Sequence, residues 1–160
     1  MPLIKDGQLA DDIYTAVDDA APLPEGPVIV SLKRLRAERE ALLGRNQKLG
    51  VKLTSEESPE SIGSDLDRLS LVVLEFPKFR DGRPFSWARI LRTRLKFEGE
   101  VRASGDFLYD KIAFLIRVGC DSFVLPPALT PELFQRALGE MSLVYQPAAD
   151  GKKIIRDLRA

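Results

Sequence analysis

Residues 69–86 read LSLVVLEFPKFRDGRPFS, and their reading decides the fold. Leu71 to Phe76 is a continuous apolar run broken only by Glu75, too short for a helix of ordinary length and rich in branched side chains. A half-exposed strand would alternate. A continuous run predicts a strand covered on both faces, as in a parallel sheet flanked by helices. Asp81-Gly82 supplies a turn, and Pro84 suits the first turn of a helix predicted to run through Leu95.

The same alternation extends outward. Val28–Val30 is a short strand, with Ser31 placed to cap a helix that carries Leu32, Leu35, Leu42 and Leu43 and ends at Gly44. Val51–Leu53 is a second strand, and Ser58-Pro59-Glu60 opens a short helix to Leu69. After the central strand and its helix come a strand over 99–103, an amphipathic helix over 106–118 stopped by Gly119, and a strand over 122–125. Thr130-Pro131-Glu132 opens a helix ending near Gly139, and a sixth strand is expected over 142–145. Alternating strands and helices predict an α/β fold: a single domain, 26–148, with a mostly parallel sheet of five or six strands and flanking helices. An open sheet and an incomplete β/α barrel both satisfy the pattern. Residues 1–25 fall outside it and are expected as an appendage, a loop or a hairpin around Lys5-Asp6-Gly7. Residues 149–160 are expected as a frayed or partner-docked tail.

Composition removes several function classes. The 24 Lys and Arg balance 24 Asp and Glu, so no global charge calls for nucleic acid. There is no apolar run long enough for a membrane span or a leader, and the expectation is a cytoplasmic protein. Histidine is absent, which rules out a Ser-His-Asp triad and an HExxH zinc site. No GxG fingerprint or GxxxxGK loop occurs, so no cofactor is assigned. The single cysteine, Cys120, is read as a buried structural thiol. Glu75 and Asp106 are the two strand-end carboxylates that could share magnesium. The other strand ends lack matching acids, and no metal is assigned.

Charge is uneven. Residues 1–75 have a balance of −5, residues 76–119 a balance of +5. In parallel α/β folds ligands gather where strands end and helices begin. The central strand delivers Lys78, Arg80, Asp81 and Arg83, with Ser86 in the next helix; the following strand delivers Arg102 and Asp106. If these strands are neighbours, guanidinium groups and free helix amides converge on a small oxyanion: sulfite, sulfate or phosphate. The alternative is that Asp81-Gly82 is a plain turn and Arg102 pairs with Glu100 or Asp81. A Schiff-base role for Lys78, and stacking of a flat cofactor on Trp87, are lesser options.

The stretch FPKFRDGRPFSWARILRTRLKFEGEVRASGDFLYD resembles bacterial domain-of-unknown-function family nine-three-four. The matching positions are Phe76, Pro77, Phe79, Asp81, Gly82, Arg83, Ser86, Leu91, Arg92, Gly99, Glu100, Arg102, Ala103, Gly105, Leu108 and Asp110. Lys111 and Pro84 depart from the pattern, which has Gln and Gly there. The resemblance implies an oxidoreductase or accessory component of assimilatory sulfite reduction. One cysteine cannot supply the four thiolates of an iron–sulfur cluster. The implied roles are therefore binding an oxyanion or, as the alternative, docking as a non-catalytic module onto a larger sulfite reductase.

Overall fold

Among the described residues, eight strands form one sheet in the order β2-β1-β8-β7-β6-β5-β4-β3. The computed structural model describes residues 1–158; the last two residues of the expected tail lie outside the described residues. The strands are β1 (Leu3–Lys5), β2 (Gln8–Ala10), β3 (Thr15–Ala16), β4 (Val28–Ser31), β5 (Leu49–Leu53), β6 (Leu71–Phe76), β7 (Glu100–Gly105) and β8 (Ser122–Val124). From β3 to β8 every neighbour is parallel, while β1 runs antiparallel to both β8 and β2. The α/β class holds; the expectation of five or six strands is corrected to eight in a mixed sheet. The extra strands come from the first 25 residues. Asp6 and Gly7 both take positive φ, 49° and 79°, the geometry of a tight hairpin turn that pairs β1 with β2, and the hairpin joins the sheet through β1 beside β8.

The sheet is curled into an open half-barrel. β2 and β3 lie at opposite edges yet are joined by only Asp11–Tyr14. Seven spacings of a flat sheet would separate those edges by about 34 Å. Five residue steps reach at most about 18 Å. The linker is therefore a strap across the concave side. The α-helices are α1 (Leu32–Ala37), α2 (Arg39–Leu43), α3 (Arg83–Arg89), α4 (Ile112–Val118) and α5 (Pro131–Glu140).

Strand β6 explains its own composition. Val72, Leu74 and Phe76 join the main core, whereas Leu71 and Val73 alternate onto the other face, where they are 0% and 4% exposed. Both faces are covered, so no polar residue breaks the run before Glu75. Beneath the ends of β6, β7 and β8, edge-on ring contacts link Phe85, Phe76, Phe107 and Phe123, and Phe123 meets Phe134 at 4.9 Å in a tilted pair. These rings form a rigid floor under the strand-end loops, each pair adding about 1 kcal/mol beyond burial.

Helix boundaries shift for local reasons. The helix expected over 32–44 breaks at Glu38, whose backbone leaves the helical region and whose carboxylate meets Arg34. Pro59–Arg68 winds as a 3-10 helix, capped by Ser58 and rich in Ser, Gly and Asp, residues that favour local turns over α-helix. The helix after Pro84 widens into a π turn at Ile90–Arg94, where the Leu95 N–H reaches the Ile90 carbonyl. The expected 106–118 helix begins later: Tyr109–Lys111 is 3-10 and only Ile112–Val118 is α. The sixth strand over 142–145 does not form. Leu143 and Tyr145 are exposed there, and the chain instead returns across α4, with Asp150 paired to Arg117 at 3.0 Å and Ile154 buried.

Candidate functional site at the strand ends

Strands β6 and β7 are neighbours, and their loops are tied together. The Asp106 N–H donates to the Phe76 carbonyl at 2.8 Å, and the Phe79 N–H donates to Asp106 Oδ2 at 3.3 Å. Gly105 allows this closeness. Its φ is +100°, and a Cβ there would lie 2.3 Å from the Phe76 carbonyl oxygen.

The two arginines expected to converge do not. Strand β7 continues to Gly105, so Arg102 stands three residues before its end, level with Val73 and Ser122 in the concave row. It is 2% exposed, with its guanidinium on Glu100 (2.8 Å) and on Asp12 of the strap (2.8 Å) and over the Tyr14 ring. Arg83 instead chelates Asp81, Nε to Oδ1 at 3.0 Å and Nη2 to Oδ2 at 2.8 Å, and reaches Ser55 Oγ at 3.0 Å. The Arg83 guanidinium, with the Ser55 hydroxyl assisting, holds the Asp81 carboxyl far below the usual carboxylate range. Both arginine charges are matched inside the chain. No helix N-terminus stands at Asp106, because the next helical turn begins only at Tyr109, after Leu108 in extended backbone.

The remaining candidates behave differently. Lys78 and Arg80 are exposed and, among the described residues, have no carboxylate partner. Arg80 lies 5.2 Å over the ring of Phe79, which is itself 44% exposed. Ser86 is exposed on the first turn of α3. Beside Asp106 a mostly apolar groove of about 470 Å³ runs between the loops after β7 and β8 and the outer side of α5.

Two polar clusters escape a reading of strand ends alone. One is the concave network: Glu100 accepts from Lys5 (2.7 Å), Arg102 and Ser122 (2.6 Å). Burial acts to raise the Glu100 carboxyl, and the hydrogen bonds from Lys5, Ser122 and Arg102 outweigh it, leaving it below its ordinary value. Glu100 and Arg102 stand two apart in a strand, a spacing that places them on one face; the Asp12 and Lys5 partners carry no such signal. The other is Arg92, whose guanidinium donates to the carbonyls of Phe97 (2.6 Å), Gly99 (2.7 Å) and Gly119 (3.0 Å) and pairs with Asp121. Glu75 sits on Lys52 at 3.1 Å, apart from the Asp106 contact with Phe79, and no group of three metal-ligating side chains occurs among the described residues.

Cys120 is 4% exposed, and burial, with the Asp121 charge adding, pushes its thiol up to about 12. The thiolate is the reactive form, and its fraction at pH 8 is then about 10⁻⁴. A disulfide reagent such as DTNB is expected to leave the folded protein unlabelled at pH 8 and to titrate one thiol in denaturant. Rapid stoichiometric labelling of the native protein would contradict the burial of Cys120.

Among the described residues no helix is long and apolar enough to cross a membrane. No curated protein and no solved structure matches the chain. A family model does match, over residues 50–155, from within β5 through the C-terminal return across α4. The matched span holds the whole β6–β7 loop pair, the Arg92 hub and the groove. The chain belongs to the family described as "Bacterial protein of unknown function (DUF934)".

Proposed function

We propose that the protein is an accessory component of assimilatory sulfite reduction in the cytoplasm, acting as a docking module for a larger sulfite reductase. The pathway comes from the family resemblance; the mode of action comes from the surface. One observation carries it. Of the seven candidate residues, Arg83 and Arg102 have their charge neutralised internally, while Lys78 and Arg80 have no carboxylate partner among the described residues and flank exposed Phe79, whose N–H bonds Asp106 two residues before exposed Leu108. An oxyanion pocket needs converging, uncompensated donors. A docking face needs charge for steering and apolar surface for attachment. The second requirement fits this surface better than the first.

Deleting the gene should produce a sulfur-source requirement relieved by sulfide or cysteine. Wild-type protein restores growth on sulfate, and the double variant Lys78→Glu/Arg80→Glu does not, although it folds. Co-purification with sulfite reductase should weaken with salt and be lost in the same variant. Normal growth of the deletion strain on sulfate ends the pathway assignment. Calorimetric titration with sulfite that gives heat in the wild type and none in the double variant would restore the oxyanion reading.

A further inference from the structure

We propose that the groove beside Asp106 receives a peptide segment of a partner protein in which a large apolar side chain is flanked by carboxylates. The proposal rests on the docking reading and specifies the chemistry of what docks. The floor of the groove is Leu108, Pro126, Leu129 and Leu133, and its volume of about 470 Å³ falls within the range of about 300–1,000 Å³ typical of sites that bury a compact apolar group. Leu108 is 42% exposed, so an apolar occupant gains by covering it.

Charge selects the flanking residues. The acids that line the groove are occupied: Asp106 accepts the Phe79 N–H, and Glu140 accepts the Tyr109 hydroxyl at 2.6 Å and faces Arg136 at 3.8 Å. Because Phe79 is bonded to Asp106, the loop carrying Lys78 and Arg80 lies against that end of the groove, where two positive charges face the single Asp106 carboxylate and leave a positive excess. An occupant with carboxylates beside its apolar anchor meets those charges; a neutral or basic one does not.

The chain's own segments are poor occupants. Its C-terminal part is already engaged, with Asp150 on Arg117, Asp157 accepting the Ile154 N–H and Ile154 buried. Its acidic N-terminal part is already engaged, with Asp12 on Arg102, Tyr14 on Ser70 and Asp19 on Ser31. The occupant is therefore a different protein.

Panning a random peptide library on the immobilised full chain tests this. Enriched peptides should place Asp or Glu within a few residues of Leu, Phe or Trp. A synthetic peptide of that consensus should bind less tightly as salt rises, and lose affinity about tenfold or more on Lys78→Glu/Arg80→Glu and on Leu108→Asp. All three positions are exposed, and circular dichroism checks that the variants fold. No enrichment, enrichment without an acidic bias, or equal affinity for the variants overturns the proposal. So does sedimentation showing a dimer that Leu108→Asp abolishes, which would make a second copy the occupant. So does octanoate raising the melting temperature while excluding the peptide, which would make the groove a small-molecule site. Normal growth of the deletion strain on sulfate would remove the pathway and leave this peptide preference standing; a failed library would remove the preference and leave the pathway standing.

Discussion

Gly105→Ala is expected to cost on the order of 3–5 kcal/mol, enough to leave little soluble protein. Two independent penalties coincide. At φ +100° an L side chain is strained by about 1–3 kcal/mol. The added Cβ also meets the carbonyl oxygen, carbonyl carbon and nitrogen of Phe76 at 2.3, 3.0 and 3.1 Å. All three are backbone atoms of a central strand and cannot rotate away as a side chain would. Relief requires β6 and β7 to part where the Asp106 N–H bonds to the Phe76 carbonyl. Gly82→Ala is the control: nothing lies within 4 Å of its Cβ position and its φ is negative, so it should be near neutral. Urea denaturation of both variants, or soluble yield where Gly105→Ala does not accumulate, makes the comparison. A Gly105→Ala protein within about 0.5 kcal/mol of wild type would mean that the loops do not approach as described.

Arg92→Ala is expected to destabilise by about 3–5 kcal/mol, or roughly 10 °C in Tm. The guanidinium ties the π turn to the entry of β7 and to the Gly119-Asp121 corner, so its removal strands three carbonyls and the Asp121 carboxylate together. Arg92→Lys should recover only part of the loss, because one ammonium cannot reach in all the directions a planar fork does. The loss should also depend on pH. Burial raises the Asp121 carboxyl, with the Val101 N–H and Arg92 opposing the rise. Without Arg92 the folded-state pKa climbs further above its unfolded value. Such a group favours folding below the unfolded pKa and loses that contribution as pH rises through the folded one. The gap between wild type and Arg92→Ala should therefore narrow toward pH 4 and be widest at pH 7. A gap independent of pH would locate the cost in the carbonyls alone.

The family pattern takes on a physical meaning from these two sites. Gly99, Gly105, Glu100, Leu91, Arg92 and Arg102 are all accounted for by packing and internal pairing. Arg83 and Asp81 pair with each other across a turn. Lys78 and Arg80, which carry the docking proposal, are not among the matching positions that define the resemblance.

The amino-acid sequence by itself determined the local elements and their kind. The continuous run at Leu71–Phe76 required two covered faces, Ser31, Ser58 and Thr130 capped helical turns, and Gly119 stopped a helix in the left-handed region. Each of these depends on residues within a few positions of one another, so each is written in the chain. Tertiary structure alone decided that β1 would join β8, that a four-residue strap would curl the sheet, and that Arg102 would find Asp12, ninety residues away. A guanidinium's partner is set by whichever carboxylate the fold brings within reach, and no local pattern encodes that distance. The strand-end charges were legible as positions; which of them remained free was settled only when the fold assigned the rest their partners.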